Sequence, residues 1–245
     1  MRTIVTLLAA MVVAGCGSRG PQLSNFDADQ LLAHAAERTE ARKWDDAARA
    51  LETFIFQYPT HPRYQEARFL LGDVYYQRRD YLSAAAEFGR LADDFPTGEL
   101  ADDSRYRVCQ SFYEVSPKPQ LDQEYTMTAI MHCESLIGYY PDSEFAPQAR
   151  ELVSDLTDKL SEKLYLTGSN YLRQGVPDAA IIYFNDVLER YPESTGAPKA
   201  LYGLYEAYTA IGYVEDADVA KERLLREFPE SEEARRLGGS SAGPQ

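Results

Sequence analysis

Basic residues are scarce in this 245-residue chain, which has 25 lysines and arginines against 39 aspartates and glutamates. A nucleic-acid-binding surface needs clustered Lys and Arg side chains to contact phosphates, so this class of function is disfavoured. The formal net charge of -14 also disfavours flat adsorption of the protein on anionic lipid. The composition therefore predicts no nucleic-acid partner.

Histidine, cysteine and known catalytic motifs are also scarce. The three histidines, His34, His61 and His132, are scattered, and the adjacent pair His132-Cys133 does not have the spacing of metal ligands on one helix face. The chain contains no Gly-rich phosphate loop, no HExxH motif and no nucleophile elbow. The sequence predicts no metal site, no cofactor and no enzymatic activity.

A long hydrophobic run is lacking except near the N-terminus. There Arg2 precedes an apolar run from Ile4 to Val13, which is shorter than the about 20 residues that a membrane-spanning helix needs. A charged start, an apolar centre and small residues at the end predict a secretory signal peptide over residues 1–15.

The residues that end this segment, Val13-Ala14-Gly15-Cys16, resemble the lipobox of bacterial lipoproteins. In that family the chain is cut before the cysteine, which implies that Cys16 becomes the lipidated first residue and carries a covalent lipid. Residues 16–25 would then form a short tether of roughly 16 Å between the lipid and the first helix. The alternative is an ordinary signal peptide in which Cys16 has no such role.

An internal repeat covers most of the remaining chain. An aromatic residue followed by proline ends five segments, and an alanine stands twelve residues before each proline. Between alanine and proline the apolar residues keep helical spacing, and the proline ends the helix. The five alanines are Ala47, Ala84, Ala129, Ala180 and Ala217, and the five prolines are Pro59, Pro96, Pro141, Pro192 and Pro229.

A second helix precedes each alanine. Gly72 and Gly168 lie twelve residues before their alanines, at what we call the close-approach position, where a small residue lets two helices pack tightly. Ala35 and Tyr205 take this position in the first and last repeats. The pattern resembles the tetratricopeptide repeat. It predicts an all-α fold, an α-solenoid of about five helical hairpins.

Two repeats are longer than the others. The third has about eight extra residues, which we assign to a loop over residues 116–122. The fourth has about fourteen, which predict a helix from about Ala146 to Gln174, about 40 Å long at 1.5 Å per residue. This helix would join repeats 1–3, over residues 26–145, to repeats 4 and 5, over residues 146–236. The Gly- and Ser-rich tail, residues 237–245, is predicted to be disordered.

The two remaining cysteines, Cys109 and Cys133, form an even pair in an oxidising compartment. Cys109 takes the close-approach position of the third repeat, and Cys133 lies eight residues before its proline, where the second and fourth repeats have phenylalanine. The two positions should face each other, so a disulfide is feasible if the Cα atoms lie within about 7 Å. The alternative is a pair of reduced, buried thiols.

The first helices of such a solenoid line one face, which we call the first-helix face. Tyrosine and phenylalanine on this face would offer broad contact area for an extended apolar peptide. The alternative is that some of these rings fill the seams between repeats. The predicted peptide-binding residues are Phe69, Asp73, Tyr76, Tyr106, Gln110 and Tyr113.

The combination of lipobox, five repeats, a long third repeat and an extended fourth-repeat helix resembles the BamD-type lipoproteins of the outer-membrane β-barrel assembly machinery. The segments that carry the resemblance are RYQEARFLLGDVYYQRRDYLSAAAEF, YPDSEFAPQAREL and YLRQGVPDAAIIYFNDVLERYPES. The resemblance implies a non-catalytic scaffold at the periplasmic face of the outer membrane. Its implied partners are the periplasmic domains of the β-barrel insertase, unfolded outer-membrane proteins and other accessory lipoproteins.

Two other functions compete with this one. A cell-envelope adaptor linked to peptidoglycan or the division machinery would use the same repeats, although a short tether suits a membrane-embedded partner better. A lytic transglycosylase would need a compact catalytic domain with a buried acidic residue, and the repeats already occupy every stretch that is long enough.

Overall fold

The computed structural model describes residues 22–239, and in this range all regular secondary structure is helical. The predicted signal peptide, Cys16 and residues 240–245 lie outside the described residues. A 3-10 turn, η1 (Leu23–Asn25), precedes eleven α-helices within the described range. These are α1 (Ala28–Glu40), α2 (Trp44–Gln57), α3 (Tyr64–Gln77), α4 (Tyr81–Asp94), α5 (Ala101–Val115), α6 (Glu124–Tyr139), α7 (Ala146–Arg173), α8 (Pro177–Arg190), α9 (Gly196–Ile211), α10 (Val214–Glu227) and α11 (Glu232–Gly239).

The helices pack in chain order, each against the helix before it and the helix after it. Helices α1 to α10 form five successive hairpins, and α11 packs on α9 and α10. A chain of such hairpins, each in contact with its neighbours, is a solenoid. The predicted all-α fold of about five hairpins is therefore confirmed.

The repeat pattern marks the second helix of each hairpin. Its alanine is buried in every repeat, from Ala47 at 0% exposure to Ala217 at 4%. The last residue of this helix is followed by the aromatic residue that precedes the proline. This aromatic residue leaves helical geometry, as Tyr58 does with φ -127° and ψ 54°. A proline disfavours helical angles at the residue before it, and so the sequence itself ends these helices.

Close helix contact inside the hairpins requires glycine at the predicted positions. A Cβ atom on Gly72 would lie 2.7 Å from the Phe88 ring, and one on Gly168 would lie 2.7 Å from the Phe184 ring. Gly203 on α9 also faces Phe184, at 2.6 Å, so that ring is held between α7 and α9. The sequence pattern identified Gly72 and Gly168 but not Gly203.

Helix α7 is the long helix that the extra residues of the fourth repeat predict. It has 28 residues with a proline in its first turn, and it is about 42 Å long at 1.5 Å per residue. Its first half supplies Ala149 and Leu156 to the core of the third hairpin, while Gly168 in its second half contacts Phe184. The helix thus joins the first three hairpins to the last two.

Both predicted end segments need correction. The tether was expected to run to residue 25, but residues 23–25 form η1, and Leu23 packs against the first hairpin's core. The disordered tail was expected to begin at residue 237, but α11 continues to Gly239, and Leu237 is only 8% exposed within the last core. In both cases one leucine finds an apolar site on the neighbouring hairpin.

The extra residues of the third repeat form an ordered loop between α5 and α6. Gln123 is 5% exposed, and its side-chain amide donates to the carbonyl oxygens of Lys118 at 2.9 Å and Leu121 at 3.0 Å. From α7, the ammonium of Lys159 donates to Ser116 Oγ at 2.7 Å, and that of Lys163 to the Leu121 carbonyl at 2.6 Å. These bonds hold the loop against the long helix.

In the third hairpin, Cys109 on α5 and Cys133 on α6 form a disulfide with a Cα–Cα distance of 4.9 Å. Both residues are fully buried. The pair stands at the two positions that hold Gly72 with Phe88 in the second hairpin. The covalent bond therefore takes the place of the glycine–aromatic contact.

His132, beside the disulfide, stacks on Phe112 with ring centroids 5.0 Å apart. Burial, with a smaller contribution from the charge of Arg105, lowers the pKa of His132 from its ordinary value. His132 therefore binds a proton more readily in the unfolded chain than in the folded one. Its contribution to the free energy of unfolding should be fully present above pH 6.5, and it should fall as the pH is lowered towards the folded pKa.

We expect His132→Gln to reduce the loss of stability between pH 7 and pH 5. The measurement is the urea midpoint of unfolding as a function of pH for both proteins. An exposed surface substitution such as Gln77→Ala serves as the control and should leave the slope of that dependence unchanged. Equal slopes for the native chain and His132→Gln would contradict this assignment.

A candidate binding cleft on the first-helix face

A cleft of about 530 Å³ opens on the first-helix face between α1, α3 and α5. Its apolar lining includes Leu51 and Val74, which are buried, Trp44, which is half-buried, and Leu70, which is 39% exposed. The complete lining is Ala35, Ala36, Thr39, Glu40, Trp44, Leu51, Leu70, Asp73, Val74, Gln77 and Arg107. The cleft thus combines an apolar wall with a few charged side chains, as peptide- and ligand-binding clefts do.

Arg107 organises the charged edge of the cleft. Its guanidinium forms an ion pair with Asp73 and donates to Gln110 Oε1 at 3.2 Å. It also lies over the ring of Tyr76, 4.7 Å from the centroid, and over that of Phe88, at 5.3 Å. The structure therefore gathers three of the predicted residues, Asp73, Tyr76 and Gln110, around one arginine.

Arg107 was not among the binding residues predicted from the sequence, although the repeat register contains a signal for it. Arg107 lies two residues before the close-approach residue Cys109, and Leu70 lies two residues before Gly72. Both side chains line the same cleft. This register position therefore points towards the first-helix face.

Tyr76 is held at the cleft edge by polar contacts. Its hydroxyl donates to Glu114 Oε1 at 3.3 Å, and its ring makes an edge contact with Tyr81 at 5.1 Å. Burial, followed by the charge of Glu114, raises the pKa of Tyr76 to about 12. The phenol therefore remains protonated, and a donor, at neutral pH.

The other three predicted residues contribute to packing between helices. Phe69 packs on Phe88 at 5.2 Å, and Tyr106 stacks on Phe145 at 5.0 Å. The hydroxyl of Tyr113 donates to Asp155 on α7 at 3.3 Å. These contacts agree with the alternative that rings on this face fill seams. Binding of a peptide by the six residues stays a prediction.

A second, smaller cleft of about 380 Å³ lies further along the chain, where the ordered loop of the third repeat meets α7. Lys163, Leu166 and Arg173 of α7 line it with residues 119 and 120 of the loop. Leu166 lies two residues before Gly168, so it occupies the register position of Leu70 and Arg107. The side chains two residues before the close-approach position therefore line a cleft in three of the repeats.

Residues 22–239 contain neither a metal-binding cluster nor a membrane-spanning helix. No three His, Cys, Asp or Glu side chains in this range come together in a way that could hold a metal ion. Within the same range, no helix combines the length and the apolar character needed to cross a membrane.

Stacked helical hairpins with open clefts on their first-helix face define a tetratricopeptide-type solenoid. The chain belongs to the YfiO family of outer membrane lipoproteins, whose family model matches residues 24–224. The resemblance to BamD-type lipoproteins is thereby confirmed.

Relatives named as outer membrane protein assembly factor BamD come from several bacteria. The chain is 28% identical over 219 residues to the outer membrane protein assembly factor BamD of Caulobacter vibrioides, covering 88% of this chain and 72% of the relative. It is 24% identical over 234 residues to the assembly factor BamD of Vibrio cholerae, covering 91% and 97%. The similarity thus extends over nearly the whole of the described chain.

Some solved structures of repeat proteins also match this chain. The complex of the TPR2AB domain of yeast Sti1 with pHSP90 matches with a TM-score of 0.45 and 12% identity, covering 84% of this chain and 80% of that one. The MamA protein matches with a TM-score of 0.36 and 14% identity, covering 81% and 90%.

Proposed function

We propose that this protein is a non-catalytic scaffold of the outer-membrane β-barrel assembly machinery, anchored at the periplasmic face of the outer membrane by lipid on Cys16. It binds the periplasmic domains of the insertase and receives unfolded outer-membrane proteins. Membership of the outer membrane lipoprotein family and relatives named as assembly factors support the proposal. Gly17 rather than aspartate follows Cys16, which is compatible with export to the outer membrane.

The observation that carries the client-binding part is the cleft between α1, α3 and α5. An extended apolar segment can place a large side chain against Trp44, Val74 and Leu70. A terminal carboxylate or backbone carbonyl of that segment can accept from the guanidinium of Arg107, which is 20% exposed. Apolar burial then supplies affinity, and the arginine orients the segment.

Leu70→Ser is expected to weaken binding of an aromatic-ended outer-membrane-protein peptide by about tenfold, the effect of losing one well-buried apolar contact. Leu70 suits this test because it is partly exposed in the cleft, whereas alanine at Tyr76 or Tyr106 would also disturb packing. The measurement is peptide affinity by fluorescence anisotropy.

The matched control for this experiment is Leu82→Ser on α4. Leu82 is 46% exposed and does not line the cleft. The Leu82→Ser substitution should leave the affinity for the peptide unchanged. Equal affinity of both variants and the native chain would remove the cleft as the client site, while the rest of the proposal would stand.

Insertase binding is tested by isolating the lipidated protein from membranes through an affinity tag. We expect an integral β-barrel protein with periplasmic domains to co-purify in stoichiometric amount. Recovery of wall-associated proteins alone would contradict the proposal and favour the adaptor linked to peptidoglycan or cell division. A tagged chain with Cys16→Ser separates partners held by the protein from those that merely share its membrane.

A further inference from the structure

The most exposed large apolar side chain of the described residues is Phe56, near the C-terminal end of α2, at 86% exposure. Single exposed apolar residues are common on protein surfaces and need no explanation by themselves. Phe56 differs because of its place in the repeat and its place in the molecule, and these two observations are independent.

The repeat shows that folding does not require an apolar residue at this position. Phe56 lies three residues before the repeat proline, and the four other repeats have Asp93, Gly138, Glu189 and Arg226 at the same place. All four of these residues are exposed. A phenylalanine in the first repeat alone therefore has a cause other than packing within the hairpin.

Phe56 lies at the end of the molecule where the chain enters the fold. The hydroxyl of Tyr58, two residues further on, donates to the carbonyl oxygen of Phe26 at 3.2 Å, and η1 packs against α2. The beginning of α1 and the end of α2 are thus side by side. Pro59 and Pro62, in the turn that follows α2, are exposed at the same end.

The length of chain before the described residues limits how far this end can lie from a lipid on Cys16. Six peptide units connect Cys16 to Gln22, and they span at most about 21 Å when fully extended. The interfacial layer on each side of a bilayer is about 5–7 Å thick. The end of the first hairpin that carries Phe56 is therefore kept within reach of the membrane surface.

We propose that Phe56 inserts into the lipid interface of the membrane to which Cys16 is anchored and so orients the solenoid on that membrane. The inference rests on the proposed lipidation of Cys16. An aromatic ring favours the interface because its apolar face leaves water while neighbouring polar groups stay hydrated. The contact needs no basic residues, which fits an acidic chain on zwitterionic lipid.

The test measures the depth of a tryptophan at this position. Trp44 is the chain's one tryptophan, so Trp44→Phe gives a silent background in which Phe56→Trp reports alone. The lipidated protein, purified from membranes, is placed in phosphatidylcholine vesicles that contain brominated lipid. The matched control is Val219→Trp in the same background, on α10, where the side chain is also exposed, at 65%.

We expect the protein to float with the vesicles, and the indole at Phe56→Trp to lose most of its fluorescence while that at Val219→Trp keeps it. Flotation without quenching at Phe56→Trp, or with equal quenching at both sites, would overturn this inference and leave the anchor intact. Failure of the protein to float would overturn the lipid anchor, and the inference with it.

A second measurement needs no tryptophan and compares the native chain with a serine variant at Phe56. The mature chain from Cys16 is coupled to a single acyl chain, which gives reversible membrane binding, and Cys109 and Cys133 do not compete for the reagent because they are bonded to each other. Phe56→Ser should lower vesicle partitioning about five- to tenfold, and Val219→Ser should not change it. Equal partitioning of the two variants would count against the inference.

Discussion

Replacing both Cys109 and Cys133 with alanine is expected to lower the free energy of unfolding of the third hairpin by about 3–4 kcal/mol. The disulfide joins residues 24 positions apart and so restricts the unfolded chain over the whole α5–α6 hairpin. Closing a loop of this length accounts for a stabilisation of that size in the chain-entropy description.

The third hairpin depends on this bond because its core contains no fully buried phenylalanine. Fully buried phenylalanines occupy the other cores, at Phe54, Phe88 and Phe184. In the third core the buried side chains are Cys109, Ala129, Cys133, Leu136, Ala149 and Leu156. The covalent link takes the place there of the contact that a buried phenylalanine makes with glycine in the second and fourth hairpins.

Hydrogen exchange measured by mass spectrometry locates this effect, since hairpins of a solenoid can open separately. Peptides of α5 and α6 should exchange faster in the alanine pair than in the native protein, and those of α9 and α10 should change little. Reductant provides the control: it should speed exchange in α5 and α6 of the native protein only. Unchanged exchange in native protein whose disulfide has been fully reduced would show that the bond contributes no stability.

The sequence predicted the hairpins well because one rule acts locally in every repeat. Alanine lets the second helix approach the first, and the aromatic residue before proline leaves helical geometry, as φ -127° at Tyr58 shows. These constraints lie within about 25 residues. No knowledge of distant contacts is needed to place the helices.

Contacts between hairpins were predicted less well because they depend on which side chains meet across the stack. Gly203 matters only because Phe184 reaches it from the preceding hairpin, and Leu237 is buried only because α9 and α10 offer it a site. Arg107 was overlooked for the same reason, since its role depends on Asp73, 34 residues away.

Of the predicted binding residues, some lie at the cleft and others pack against neighbouring helices on the same face. Asp73, Tyr76 and Gln110 gather around Arg107 at the edge of the cleft, because the guanidinium pairs with Asp73, donates to Gln110 and lies over the Tyr76 ring. Tyr106 meets Phe145 instead, a residue just before the long helix whose position no repeat spacing could supply. Helical register shows which face of the helix a residue lies on. The side chain that Tyr106 contacts depends in addition on how the fourth repeat is extended.

The largest effect of a single substitution is expected at Phe184, where alanine should lower the free energy of unfolding by about 3–5 kcal/mol. The ring is fully buried between Gly168 on α7 and Gly203 on α9. Its removal leaves a cavity bounded by two helix backbones, and these cannot collapse into the space without moving the hairpins apart. The measurement is the guanidinium-induced unfolding of the native chain and of Phe184→Ala.

The same site should resist added volume. Gly203→Ala places a methyl group 2.6 Å from the ring, and Gly168 on the other side blocks retreat of the ring, so a loss of about 1–3 kcal/mol is expected. Gly138→Ala is the matched control, because nothing lies within 4 Å of its Cβ position and α6 is helical there. This exchange should stabilise by about 0.5–1 kcal/mol, the difference in helix propensity.

Combining Gly203→Ala with Phe184→Leu separates steric pressure from helix propensity. A smaller side chain at position 184 leaves room for the added methyl group, so the two losses should sum to more than the loss in the double variant. Strict additivity would mean that Gly203 is not pressed against the ring and that another contact sets the spacing of α7 and α9. A coupling of about 1 kcal/mol or more would identify the ring as the spacer between the fourth and fifth hairpins.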